Sequence, residues 1–488
     1  MPLGPFDKRR KQSRCEFCSK THRKCTGLQP CSECLKRALP CSYADKKATG
    51  RDVIRIDAGI HSNAADFASW RPRHPAGNPS PVGQPALPYG SLLVLFDRFA
   101  ARNNFIGKGR NAFASQLKAV SSLSSHPYVL DAILAIGAIQ GTKEMPIDDK
   151  RRQRFQFCAI HYYTEAVAKM GRQLAVVPKV TIGSEKESFI WTTMLLGLFE
   201  LAAETTSDGW VKHMVHGTSR ALESAGMSLH DTKSGRALFS HVRLFEVCRT
   251  ILFNESTFLT RPEWISLSKV AWTSDSTAER CCLGDILDIM VASSALRTRA
   301  SKMVSSDLTQ LTIHDILAAQ DIAQAGFDIR QMLFRWHIAY AELEPDDHSD
   351  DDANTITSQS ANENALLSQL FHAAVSIYLS GVFDYETSFW SYLDIPTPIL
   401  EEATINGYVQ QLLDLSTAGL DNSSLSPLLF LIPLRIAGAR ARNKLDCEQI
   451  GRLLGKIRRT FAIASAIQSD LEHVWWRKGL LDMDFEFV

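Results

Sequence analysis

The 488-residue chain lacks a long hydrophobic run. Its best, Pro427-Leu-Leu-Phe-Leu-Ile-Pro-Leu434, falls far short of the roughly 20 apolar residues that a bilayer core demands, so no membrane partner is expected. The first residues, MPLGPFDKRRK, have no apolar core of the kind a secretory signal needs. The sequons at Asn254 and Asn422 therefore carry no weight, and a reducing intracellular compartment is expected. Catalytic signatures are missing as well. No P-loop, H-E-x-x-H or G-x-S-x-G occurs, and Gly107-Lys-Gly109 stands without the rest of a dinucleotide fingerprint. His213 and His216 sit three apart with no third ligand placed by sequence, and the adjacent Cys281-Cys282 fits small buried groups better than a thiol pair. No enzymatic activity is expected. Alternating strands and βαβ units are absent too, which leaves helical periodicity as the organising pattern.

Net charge is nearly absent, at +1, but the balance hides an asymmetry. Residues 1–50 hold 12 Lys/Arg against 4 Asp/Glu, so the remaining chain is net acidic. A basic head on an acidic body implies that the head alone meets a polyanion.

Cysteine is scarce except in one place. Six of the 11 cysteines fall within residues 15–41, in the stretch SRCEFCSKTHRKCTGLQPCSECLKRALPCSY. Cys15, Cys18, Cys25, Cys31, Cys34 and Cys41 are spaced C-x2-C-x6-C-x5-C-x2-C-x6-C, two equal half-sites in tandem. A disulfide framework is disfavoured by the missing signal sequence, and thiolate–metal chemistry fits the spacing. Zinc takes about four ligands in a tetrahedron. Six thiolates can fill one such site with two to spare, or serve two zincs if two sulfurs bridge. The equal half-sites favour two Zn2+ per chain, with Cys15 and Cys31, the first cysteine of each repeat, as the bridges.

This stretch resembles the DNA-binding module of the fungal Zn2Cys6 binuclear-cluster transcription factors. In that family the first and fourth cysteines bridge the metals, and a short basic helix after the second cysteine enters the major groove of double-stranded DNA at a CGG-type triplet. Carried onto this chain, the groove segment is Ser19-Lys20-Thr21-His22-Arg23-Lys24. Lys24 keeps its basic position. Ser19 and Thr21 replace the usual basic residues, and His22 stands where a base-reading lysine or arginine commonly sits. Lys20, Thr21, His22, Arg23 and Lys24 are thus the candidate groove contacts, with Arg14 ahead of the first cysteine. Lys36 and Arg37 of the second half-site are the corresponding phosphate contacts. Lys8-Arg9-Arg10-Lys11 reads as a nuclear-import signal or an arm along phosphates.

The expected organisation is a basic arm over 1–14, the cluster over 15–41 and a proline-rich linker over 42–89. A large all-α multi-helix domain follows over 90–480, then an acidic-aromatic tail over 481–488. Six prolines between Pro72 and Pro88 stiffen the linker, which shows no sustained heptad, so a homodimer through a coiled coil there is unsupported and one through the large domain stays open. Helical faces are expected over Pro127–Gly141 (Val129, Leu130, Ile133, Leu134, Gly137), Trp191–Leu201, Leu366–Tyr378 and Ile450–Trp475. Residues 342–364, with seven acids between Glu342 and Asp352, read as a disordered acidic loop, without the glycine and spacing of a calcium loop. The tail Leu480-Leu-Asp-Met-Asp-Phe-Glu-Phe-Val488 alternates acids with Met483, Phe485 and Phe487, which suits either an activation segment or a packed cap.

Loose stretches also resemble the fungal-specific transcription factor domain. They are His126-Pro-Tyr-Val-Leu-Asp-Ala-Ile-Leu-Ala-Ile-Gly137, Phe199-Glu200, Trp210-Val-Lys-His-Met-Val-His-Gly217, Arg243-Leu-Phe-Glu-Val-Cys-Arg249 and Phe258-Leu-Thr-Arg-Pro-Glu-Trp264. In the body, Trp210, His213, Phe258 and Trp264 are expected to pack helices. The resemblances together imply a nuclear, sequence-specific regulator of RNA polymerase II transcription, with co-regulators as partners, of the kind that often controls a metabolic or secondary-metabolite gene cluster. The alternative is a zinc-containing interaction or effector-sensing scaffold that reads DNA weakly.

Overall fold

The computed structural model describes residues 34, 36–37, 87–105, 113, 115–117, 127–146, 149–176, 183–203, 217–226, 232–273, 279–305, 311–340 and 355–481. Two compact units divide the chain, Met1–Asp52 and Val53–Val488. The first extends past the expected end of the cluster at residue 41.

The described part of the second unit is helical, with one isolated bridge, Asn104 to Leu425, in place of any sheet. Its helices are α1 (Tyr89–Ala101), α2 (Pro127–Glu144), α3 (Lys150–Val176), α4 (Gly183–Ala203), α5 (Arg220–Ala225), α6 (Lys233–Phe253), α7 (Pro262–Thr273) and α8 (Glu279–Val304). The series continues with α9 (Ile313–Tyr340), α10 (Thr355–Asp384), α11 (Thr387–Tyr392), α12 (Glu402–Asn422), α13 (Leu431–Arg440), α14 (Lys444–Arg458) and α15 (Ala464–Arg477).

Several helices are buried nearly all round, and two of them centre the two halves of the body. The first is α2, which contacts α1, α3 and α4 and buries every residue from Asp131 to Thr142. Small residues make that possible. A Cβ on Gly137 would lie 2.1 Å from the Leu92 carbonyl oxygen of α1, and one on Gly141 2.5 Å from the Phe155 ring of α3. The expected apolar face is only partly right, since Leu130 points outward while Asp131, Gln140 and Thr142 are enclosed. Asp131 is held by Lys169 of α3 at 2.6 Å.

The second is α10, packed against α8, α12 and α13. Its segment Asn362–Asp384 is long and apolar enough to span a bilayer by length and composition, with a mean hydropathy of 1.5, which corrects the expectation that no run in the chain qualifies. His372 and scattered serines interrupt its apolar residues, so no continuous run marks it in the sequence. In the fold, 83% of that window is buried inside the protein, so it is the core helix of the second half.

The same helix corrects the acidic loop. It starts at Thr355, inside the stretch 342–364 assigned to a loop, and Glu363 is buried. The Glu363 carboxylate accepts from Asn104 Nδ2 (3.1 Å), Ser424 N (2.6 Å) and Ser424 Oγ (3.0 Å). Three donors offset the desolvation of one carboxylate and clasp the exit of α1 to the start of α10. A further difference concerns Ile450–Trp475, which is two helices. The chain breaks after α14, and Ile463 N donates across to Leu201 O of α4 at 3.2 Å. Phe461 is fully buried there, edge-on to Phe99 at 6.2 Å. Of the terminal tryptophans, Trp475 is buried with its Nε1 donating to Gly438 O at 2.8 Å, and Trp476 is exposed.

Candidate zinc-cluster and nucleic-acid site

Of the residues of the cluster region singled out by the sequence, three are described, and they share one turn of the second half-site. Cys34 is wholly buried, and Arg37 N donates to Cys34 O at 3.2 Å. Lys36 and Arg37 are exposed on the same turn. A buried cysteine thus sits on the same turn as two exposed cations. Thiolates hold zinc, and their excess negative charge over the metal favours adjacent cations. Cys15, Cys18, Cys25, Cys31 and Cys41, with Arg14, Lys20, Thr21, His22, Arg23, Lys24 and the Lys8–Lys11 run, lie outside the described residues. So do Trp210, His213, His216 and the tail 482–488.

The cysteines of the body behave differently. Cys158, Cys282 and Cys447 are buried and Cys248 half-buried. Burial pushes the Cys248 thiol up to about 12 and, with Asp446 beside it, the Cys447 thiol up to about 11. Such thiols stay protonated near neutral pH, which disfavours the thiolate that ligation or nucleophilic attack uses. Among the described residues no group of three or more His, Cys, Asp or Glu side chains converges to hold a metal ion.

Two stretches of the body singled out by the sequence prove to be packing elements. Trp264 stacks on Phe239 at 5.8 Å and meets Phe258 edge-on at 4.9 Å, as expected of helix-packing aromatics. In α6, Arg243, Glu246 and Arg249 recur every third residue on one buried face. Arg249 donates to both Glu246 oxygens (2.8 and 2.9 Å), to Ser256 O (3.1 Å) and to Glu255. Ser219 Oγ adds a donor to Glu246 at 3.2 Å. Burial works against the Arg249 charge, yet Glu246 and Glu255 outweigh it and hold the guanidinium above its ordinary range. Arg243 reaches Asp288 of α8 (2.5 Å) and Gly284 O (3.0 Å). Burial lowers Arg243 and raises Asp288, each acting against the charge that the other favours. The sequence carried a signal for this network, three charges at spacing three in the second half of the helix, but not the partners outside it.

A third polar cluster surrounds His372 of α10. Its ring stacks on Trp336 at 4.9 Å and on His337 at 5.4 Å, with Tyr408 edge-on at 6.0 Å, and its Nε2 donates to Leu333 O at 3.3 Å. Burial, reinforced by His337 and Arg330, pulls His372 down to about 4, so it is neutral at physiological pH. A basic cleft of about 490 Å³ also opens on α14, lined by Arg452, Gly455, Lys456, Arg458 and Arg459. Lys456 there is paired with Asp421 at 2.6 Å.

Residues 14–50 match the family model of the fungal Zn(2)-Cys(6) binuclear cluster domain. No curated protein and no solved structure matches the chain. The chain therefore carries a zinc binuclear cluster domain, which binds two zinc ions, ahead of a large region that is helical in its described residues. By that domain it is a DNA-binding regulator of transcription. The match ends at residue 50, so it does not extend to the helical body.

Proposed function

We propose that Cys15, Cys18, Cys25, Cys31, Cys34 and Cys41 hold the two zinc ions, with Cys15 and Cys31 bridging, and that the cluster reads a CGG-type triplet for RNA polymerase II transcription in the nucleus. Lys20, Thr21, His22, Arg23 and Lys24 face the major groove. Arg14, Lys36 and Arg37 contact phosphates, and Lys8, Arg9, Arg10 and Lys11 direct nuclear import. The helical body is a regulatory domain of the fungal-specific type that contacts co-regulators, and it carries no catalytic role. Control of a metabolic or secondary-metabolite gene cluster suits this layout. The observation that carries the reading is the family match over residues 14–50, and the buried Cys34 beside exposed Lys36 and Arg37 supports it.

Selection of bound duplexes from a random library by the zinc-loaded chain tests this. Enrichment of one triplet is expected. Replacing Lys36 or Arg37 by Ala should weaken binding evenly across sequences and lower the salt slope by roughly one each. Absence of any enriched motif would instead favour the interaction-scaffold reading, which Ser19, Thr21 and His22 support by replacing residues that usually carry base contacts.

A further inference from the structure

The strongest unexplained feature of the body is the outer face of α9. Its inner face is fully engaged. Ala319, Ile322, Ala323, Gly326, Leu333 and Trp336 are buried, in a helix that packs on α8 and α10. Trp336 Nε1 donates to Cys282 O (3.0 Å), Tyr340 Oη to Asp285 (2.7 Å) and Arg330 to Pro398 O (2.8 Å). The helix is thus fixed along its length. On the opposite face Ile313 is 79% exposed, Leu317 57%, Phe327 39%, Phe334 62% and Ile338 54%. Five large apolar side chains on one edge helix are not the scattered single exposures found on any surface.

Their spacing is specific. With the exposed Gln320, Gln324 and Gln331, they recur at alternating steps of four and three from Ile313 to Ile338. That is coiled-coil spacing over eight positions, three of them glutamine, and no partner covers it among the described residues of the protomer. Read backwards, the seam also matches itself everywhere except at its central pair. Set antiparallel about a two-fold axis between Gln324 and Phe327, Ile313 meets Ile338, Leu317 meets Phe334, Gln320 meets Gln331 and Gln324 meets Phe327. Apolar residues oppose apolar ones at both ends, and the inner glutamine pair can exchange amide hydrogen bonds that fix the register. An isologous interface needs this kind of self-complementarity, and a seam shaped for a different partner does not.

We infer that α9 is the dimerisation element of this protein, pairing antiparallel with α9 of a second copy. The five side chains expose on the order of 500 Å² of apolar surface per copy at ordinary side-chain areas. With the glutamines and the flanking side chains, the pair reaches the roughly 1,200 Å² at which specific interfaces begin. Flanking charges act the other way. Asp321 of one copy lies near Asp328 of the other, and His314 near Arg335. Asp321 is already paired with Arg299, and salt screens what remains, so association should tighten as ionic strength rises.

The test is the mass of the zinc-loaded full chain by sedimentation equilibrium, which is independent of DNA reading. At about 10 μM the expected mass is twice 54.3 kDa. Leu317→Glu and Phe334→Glu should each return it to the monomer with helicity and zinc content unchanged, because both residues are exposed in the protomer. Register is read by oxidation of Ile313→Cys and Ile338→Cys chains. Cross-linking between positions 313 and 338 is expected in their mixture and in neither variant alone. A monomer at all concentrations, a dimer indifferent to both glutamates, or a self-cross-link in either single variant would overturn the assignment. So would a monomer that buries this face only on adding a different protein.

Discussion

Replacing Gly137 by Ala isolates what holds the first half of the body together. A methyl group on Gly137 would sit 2.1 Å from Leu92 O and 2.9 Å from its carbonyl carbon, both backbone atoms of α1. Real contacts of this kind stay beyond about 3 Å, so the two helices must part by roughly 1 Å, because backbone cannot rotate aside as a side chain does. Such a gap forfeits a quarter to a half of the dispersion well across the buried Leu92, Leu95, Phe96, Phe99 and Ala100 of α1. Overpacking costs about 1–3 kcal/mol, here at the upper end, and the better helix propensity of Ala returns about 1 kcal/mol. The expected net loss is about 2 kcal/mol. Gly451, in the middle of α14, supplies the internal control, since a Cβ there meets nothing within 4 Å. Gly451→Ala should raise stability by up to about 1 kcal/mol. Urea unfolding of the full chain followed by helical circular dichroism compares the two. If Gly137→Ala matches or exceeds the unsubstituted chain while Gly451→Ala stabilises, the close approach of α1 and α2 does not govern stability and the reasoning fails.

Three further outcomes are expected. Metal analysis should give two zincs per chain, and Cys31→Ser should retain less zinc than Cys18→Ser, since a bridging sulfur serves both ions; equal losses would reject the bridge. Glu246→Gln should cost about 3 kcal/mol by leaving a buried guanidinium short of a partner. Glu246→Gln with Arg249→Met should cost less than the single change, and a double variant that is worse would count against the network. His372 is held at about 4, below its unfolded value near 6.5, so its contribution is complete above about pH 6.5 and is lost as pH falls toward 4, to a total of about 3 kcal/mol. His372→Phe should flatten that part of the stability–pH curve; an unchanged slope would place the titration elsewhere.

The zinc module was legible in the sequence because its chemistry is local. Six cysteines within residues 15–41 carry their spacing with them, inside the stretch 14–50 that matches the binuclear-cluster family. The helices were legible for a similar reason, as backbone hydrogen bonds join residues four apart and the apolar period follows. What each helix faces is a different matter. In α2 the pattern suggested an inward Leu130, whereas the fold turns that residue out and encloses Asp131, because Lys169 on α3 supplies a charge the local sequence cannot show. Glu363 looked like part of an acidic loop until its donors came from residues 259 and 61 positions away. In α9 two stripes run the length of one helix, and the sequence is equally compatible with burying either. Only the placement of α8 and α10 against the stripe of Ala319, Ile322, Leu333 and Trp336 leaves the other as an open seam. Burial and pairing are set by which surfaces meet, and that depends on the path of the whole chain rather than on any window of it.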